Sequence, residues 1–268
     1  MADGMAARLI ALDLDGTTLH RDGTMSPGVR EAVREVAAAG VHVVIATGRG
    51  IGTTMPIVSH LGLEHGFTVC SNGAVTLELD PDEPDGYRIL ETVTFDPAPA
   101  LEMLRGSWPD AVAAVEEIGV GFKVSAPFPD GELVGNVRVV PWAELSRSPA
   151  TRVTFRSPTG TAEDFMALVE RIGLHGVSYS VGFTAWLDIN PEGVSKASAL
   201  ELVRRRLSVE PAQTTAVGDQ RNDIEMLRWA ARSVAMGDAP DEVKAVSDEV
   251  TLDVDQDGLL PVLRSLLG

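Results

Sequence analysis

The sequence predicts an α/β fold: a doubly wound parallel sheet between helices, interrupted by an inserted α+β domain. Three observations carry that reading. Residues 9–12, Leu-Ile-Ala-Leu, form an unbroken apolar run of the kind found in strands buried on both faces. A strand–helix–strand rhythm follows, and right-handed crossovers put such strand ends on one rim. The rhythm stops near the turn-rich stretch Asp80-Pro-Asp-Glu-Pro-Asp-Gly86 and resumes after Pro191.

Each element has its own signal. The first strand runs into Asp13-Leu-Asp-Gly-Thr17. Ser26 before Pro27 reads as a helix cap followed by a first-turn proline. Val29, Ala32, Val33, Val36 and Ala37 then recur at helical spacing until Gly40 stops them. Residues 41–46 form a second buried strand, with His42 packed inside it, ending in Thr47-Gly48-Arg49. A weaker helix at 53–61, with Pro56 near its start, leads to a strand at 67–70 and the turn Ser71-Asn72-Gly73.

Between residues 87 and 189 the pattern favours paired strands, at 88–95, 111–116, 121–125, 137–140, 151–156, 177–181 and 185–189. Helices are expected there at 98–108 and 162–172, which together suggest an α+β insert. After Pro191 come a helix at 195–207, a strand at 213–217, a helix at 223–231, a strand at 233–236 and a closing helix. The core is therefore expected at 1–83 and 190–268, with a cap-like domain at 84–189 able to act as a lid.

Composition narrows the function. A net charge of −17 over 268 residues opposes nucleic acid and anionic membranes as partners. Any phosphorylated ligand then needs local cations. The single cysteine, Cys70, excludes an internal disulfide and reads as a small core residue. Residues 1–8 carry no apolar leader, and no uncharged run is long enough to span a bilayer, so a cytoplasmic location is expected. Oligomeric state is not legible.

Four clusters carry chemistry. Asp13 and Asp15 reach the sheet rim as two like charges, a placement that calls for a cation between them. Such a pair suits nucleophilic and acid/base roles in group transfer. Thr47, Gly48 and Arg49 offer a hydroxyl and backbone N–H groups to a phosphate oxygen. Lys196 stands near a helix start, where the dipole already favours anions. Asp219, Asn222 and Asp223 follow another strand, and the two carboxylates suit magnesium.

This order of motifs resembles the haloacid dehalogenase (HAD) superfamily of phosphohydrolases. Asp13-x-Asp15-Gly-Thr17, Thr47, Lys196 and Gly218-Asp219-x-x-Asn222-Asp223 match its four motifs. Ile45-Ala-Thr-Gly-Arg49, Ser71-Asn-Gly-Ala74 and the long insert resemble the Cof-type subgroup, although Ala197 stands where many relatives carry glycine. The resemblance implies a Rossmann-like core and a magnesium-dependent phosphatase acting on a small phosphorylated metabolite, such as a sugar phosphate. It implies Asp13 as nucleophile, forming an aspartyl-phosphate, and Asp15 as acid then base. Thr47 and Lys196 hold and neutralise the phosphoryl group, and Gly48, Arg49, Asn72 and Asn222 face the substrate. Magnesium is assigned to Asp13, the backbone carbonyl of Asp15, and Asp219, with Asp223 orienting its water or Lys196. A phosphomutase or phosphotransferase using the same covalent step, and a non-catalytic sensor of phosphorylated ligands, are the alternatives. In the insert, Lys123, Arg138, Arg152 and Arg156 read as ion-pair partners, and Phe122 and Trp186 as core.

Overall fold

The computed structural model describes residues 8–129, 132–133, 135–157, 159–161, 163–164, 167, 177–181 and 186–267. Residues 1–7, most of the helix expected at 162–172 and the start of the strand expected at 185 lie outside these. The chain divides into two compact units, one from residues 1–48, 55–91 and 195–268 and the other from 49–54 and 92–194.

The chain begins with β1 (Arg8–Leu12), α1 (Pro27–Ala38), β2 (Val41–Ala46), α2 (Ile51–Leu61), β3 (Gly66–Cys70), β4 (Val75–Leu79) and β5 (Tyr87–Thr92), all in the first unit except residues 51–54 of α2 and Thr92, which belong to the second. Ser26 caps α1 by accepting from the Gly28 N–H, with Pro27 in the first turn. Gly40 follows in the left-handed region at φ +84°.

The second unit has its own six-stranded sheet. Its described elements are α3 (Ala98–Ser107), β6 (Val112–Glu117), β7 (Gly121–Val124), β8 (Asn136–Val139), α4 (Trp142–Leu145), β9 (Val153–Arg156), β10 (Val177–Val181) and β11 (Trp186–Pro191). The strand order is β10-β11-β9-β6-β7-β8, antiparallel except for the parallel β7–β8 pair. Ala100, Leu101 and Leu104 of α3 pack on Ala113, Val115, Val153, Phe155, Leu187 and Ile189 of one face. The opposite face carries Ala114, Phe122 and Val124. The cations read as ion-pair partners are paired: Lys123 and Arg138 with Glu117, Arg156 with Glu132, and Arg152 with Glu116.

The chain then completes the first unit with α5 (Lys196–Arg206), β12 (Thr214–Gly218), α6 (Ile224–Trp229), β13 (Arg232–Ala235), α7 (Asp241–Lys244), β14 (Glu249–Val250) and α8 (Leu259–Ser265). The eight-stranded sheet runs β14-β13-β12-β1-β2-β3-β4-β5. Its strands from β14 to β3 are parallel, and β4 is antiparallel to β3.

Both faces of this sheet are covered, which is why its central strands lack polar alternation. Ile10 and Leu12 join a core with α1 and with Leu259, Val262 and Leu263 of α8. Leu9 and Ala11 join a separate core with Leu200 and Val203 of α5 and Met226 and Leu227 of α6. β1 lies between β2 and β12, where the strand order reverses. Crevices at such switch points, beyond the strand C-termini, are where open α/β sheets bind ligands.

Three differences from the sequence reading have simple causes. β4 adds a strand that the sequence reading lacks: Val75, Leu77 and Leu79 alternate with Thr76 and Glu78 over only five residues, directly after the Ser71-Asn72-Gly73 turn. A strand at 88–95 is expected in the insert, yet β5 (Tyr87–Thr92) lies at the edge of the eight-stranded sheet, where Arg88 pairs with Glu78 at 2.8 Å. The short elements α4, α7 and β14 span too few residues to show a period.

Candidate active site

The first unit gathers three of the four clusters, and Thr47 and Gly48 of the remaining one, at its strand ends. Asp13 extends the β1 ladder by one bond, its N–H donating to the Val217 carbonyl at 3.1 Å. The chain then curls, with the N–H groups of Thr17, Thr18 and Leu19 all directed at the Leu14 carbonyl. Thr18 ties the loop down by donating its hydroxyl to the Asp13 carbonyl at 2.6 Å. This curl buries Asp13 at 4% exposure and leaves the Asp15 side chain exposed.

Lys196 is the first residue of α5, whose start is fixed by the reciprocal Ser195–Ser198 capping box. Its side chain is fully buried. The ammonium donates to Asp13 Oδ1 at 2.5 Å and to Asp223 Oδ1 at 2.6 Å. The other oxygen of Asp223 accepts the N–H groups of Asp219 and Gln220 at 3.0 and 2.9 Å. Asp219 is held at both oxygens, by the Thr17 hydroxyl at 3.0 Å and the Gln220 amide at 2.7 Å.

Glycines permit this crowding. A β-carbon on Gly16 would collide with the Asp219 carboxylate, and one on Gly218 would come within 2.6 Å of the Asp223 carboxyl carbon. Gly73, at φ +102°, lies so close to the Ser195 carbonyl that no side chain fits. It therefore seats the Ser71-Asn72-Gly73 turn directly on the start of α5.

A second, polar cluster lies beside it. Asn222 donates its amide to Asn72 Oδ1 at 3.0 Å, and that oxygen is 3.0 Å from where a Gly48 β-carbon would stand. Asn72 is held at φ 54° and its backbone N–H donates to the Thr47 carbonyl. The Asn72 Nδ2 is buried with no hydrogen-bond acceptor among the described residues. A donor so placed is costly unless an acceptor completes it, and a phosphoryl oxygen supplies one.

The electrostatics of the cluster favour an added positive charge. Burial, chiefly, drives the Asp13 pKa well above the ordinary carboxylate range, against the pull of Lys196 and with the push of Asp223 and Asp219. Burial and then the Asp223 charge raise Asp219 to about 7. Burial opposes the Lys196 charge, but Asp13 and Asp223 outweigh it and hold the amine above an ordinary lysine. One ammonium thus bonds two of three closely grouped, buried carboxylates.

Oxygens of Asp13, Asp219 and Asp223 lie within 4.8 Å of one another. This hard, anionic donor set fits a magnesium-like ion. The Asp15 carboxylate stands outside the group.

A family model described as haloacid dehalogenase-like hydrolase matches residues 10–100 and 142–263. The chain belongs to that family. The HAD-like hydrolase is 28% identical to the phosphatase YwpJ of Bacillus subtilis, over 97% of this chain and all of YwpJ. It is 27% identical to 5-amino-6-(5-phospho-D-ribitylamino)uracil phosphatase YcsE of the same bacterium, over 96% of this chain and 94% of YcsE. Among solved structures, the HAD phosphatase BT1666 of Bacteroides thetaiotaomicron superimposes with a TM-score of 0.80 at 26% identity, covering 99% of this chain and 97% of that one. The family resemblance read from the sequence is therefore borne out, and this hydrolase stands among the family's phosphatases. No helix among the described residues is long and apolar enough to cross a membrane.

The hydrolase brings Asp13, Lys196, Asp219 and Asp223 together, and sets Asn72 and Asn222 beside Gly48. Thr47 is buried in the first unit, with its N–H donating to the Val69 carbonyl at 2.9 Å. Arg49 belongs to the second unit. Two contributors were missed: the Thr17 hydroxyl and the Gln220 amide, which orient Asp219. Their adjacency to Gly16 and Asp219 was the only signal in the sequence.

The raised carboxylates set a pH dependence. Asp219 at about 7 holds a proton in the folded hydrolase that it loses in the unfolded chain above an ordinary carboxylate pKa. Its contribution is complete below that ordinary value and is lost as pH rises through about 7. Urea denaturation in a chelator should therefore show stability falling from pH 5 to pH 8, a fall that excess magnesium reverses.

Proposed function

We propose that this hydrolase is a magnesium-dependent phosphatase that removes phosphate from small metabolites through an aspartyl-phosphate at Asp13. The observation that carries the reading is the pair of short bonds from the fully buried Lys196 to Asp13 and Asp223, at 2.5 and 2.6 Å. They hold one attacking oxygen in place beside a fixed cation.

In the first step, Asp13 attacks phosphorus, the bond to the ester oxygen breaks, and Asp15 protonates the leaving alcohol. In the second, water attacks the same phosphorus, Asp15 takes its proton, and Asp13 is released with inorganic phosphate. The solvent access of Asp15 suits both proton transfers.

Thr47 and the Gly48 backbone hold phosphoryl oxygens, with Arg49, Asn72 and Asn222 on the substrate side. Lys196 neutralises charge on the transferred group, which is most of what phosphoryl transfer asks of a protein. Asp13, Asp219, Asp223 and the Asp15 carbonyl would hold magnesium, which supplies further charge neutralisation and orientation when bound. Relatives named for small phosphorylated substrates, such as the ribitylaminouracil phosphatase and HMP-PP phosphatase, support the substrate class.

The test is a panel of phosphate monoesters assayed with magnesium and with a chelator. Release of inorganic phosphate should fall by about a hundredfold or more in the chelator and recover on adding magnesium. Full turnover in the chelator rejects the metal requirement. Isomerisation of a hexose 1-phosphate without free phosphate rejects hydrolysis in favour of a mutase.

A further inference from the structure

We propose that Glu116 is a positioning residue for the Thr47-Gly48-Arg49 turn, acting by clamping Gly50 within the second unit. The inference rests on the phosphatase reading above.

Glu116 lies on β6 at 7% exposure. A carboxylate buried this deeply is expensive unless its oxygens are occupied. One oxygen accepts the Thr151 hydroxyl at 2.9 Å. The other lies 3.7 Å from the Arg152 guanidinium, which is itself stacked 5.2 Å from the Phe122 ring centre. The Thr151 carbonyl is in turn held by the Asn190 amide at 3.3 Å.

That second oxygen also lies against the Gly50 backbone, since a β-carbon there would stand 2.5 Å from it. Gly50 immediately precedes α2, so the carboxylate sits at the helix end that favours negative charge. Gly50 is also tied to the first turn of α2. The Gly50 carbonyl accepts the hydroxyls of Thr53 and Thr54 at 3.1 and 2.9 Å. The cavity between residues 50–53 and the β6–β7 hairpin is about 30 Å³, space for about one water.

Only Gly48 and Arg49 separate Thr47 from Gly50. Fixing Gly50 therefore restricts the backbone that offers N–H groups and the Arg49 side chain to phosphate. An apolar contact would pack this segment as well. The charge-built clamp fixes one backbone placement, and small displacements of positioning groups cost binding.

The experiment compares Glu116→Gln and Gly50→Ala with wild type. It measures aryl phosphate kinetics with magnesium, inhibition by inorganic phosphate, and amide hydrogen exchange over residues 49–54. The expected result is a rise of about tenfold in both KM and the phosphate inhibition constant, with kcat within about threefold, and exchange of the segment faster by about tenfold. Gly50→Ala displaces the carboxylate without removing it, and so reads the clamp should Glu116→Gln fail to fold.

Unchanged KM and phosphate inhibition, whatever happens to the melting temperature, overturn the proposal. So does unchanged exchange of the segment. Absence of wild-type turnover on any ester overturns the phosphatase reading instead, and the exchange arm still decides the clamp.

Discussion

Asp13→Asn should lower kcat on an aryl phosphate by at least about four orders of magnitude while leaving the melting temperature equal to or above that of wild type. The amide cannot attack phosphorus, so the covalent route is closed rather than slowed. The stability half follows from the same burial. Asp13 is one of two carboxylates bonded to the Lys196 ammonium, with Asp219 close by, and its pKa is already driven upward by desolvation. Asparagine removes a charge that the fold disfavours and keeps the shape. The Lys196 ammonium retains Asp223 at 2.6 Å, so no cation is left bare. Steady-state kinetics and a thermal melt in the same chelator-containing buffer check both halves. A variant that is inactive because it has unfolded would refute this explanation.

Lys196→Met is the converse case and should damage fold and activity together. Methionine fills the space but leaves Asp13 and Asp223 buried without their shared donor. Breaking a buried pair in this way costs about 3–5 kcal/mol. The loss should grow as pH rises, because the Asp13 carboxyl, already raised, moves further up and takes a proton more readily at low pH. Turnover should drop by about a thousandfold from lost charge neutralisation alone, the scale seen when one preorganised donor is removed. Urea denaturation at pH 5 and pH 8, paired with kinetics on the folded fraction, separates the two effects. Equal destabilisation at both pH values would contradict the electrostatic explanation.

Much of the site was legible because its residues sit where chain signals are strongest. Asp13 follows a strand apolar on both faces, and Lys196 follows a serine cap, so both strand end and helix start announce themselves. Gly16, Gly73 and Gly218 are glycine because carboxylates and backbone approach their Cα atoms, which links distant motifs without any local pattern. What stayed hidden depends on tertiary placement. Two residues apart on a strand, Asp13 and Asp15 would share one face, yet the curl around the Leu14 carbonyl buries one and exposes the other. Thr17 and Gln220 matter through hydrogen bonds to Asp219 that no spacing rule encodes. In the second unit, Glu116 looks like any strand carboxylate until Gly50, Thr151 and Arg152 surround it.

The identity of the attacking atom can be read directly. The wild-type hydrolase is mixed with substrate and magnesium, quenched within a single turnover, reduced with borohydride and mapped by peptide mass spectrometry. An acyl phosphate at Asp13 is reduced to homoserine, so conversion at position 13 and at no other carboxylate is the expected result. Conversion elsewhere, or rapid turnover with no carboxylate reduced at any quench time, would contradict the assignment of Asp13 as nucleophile.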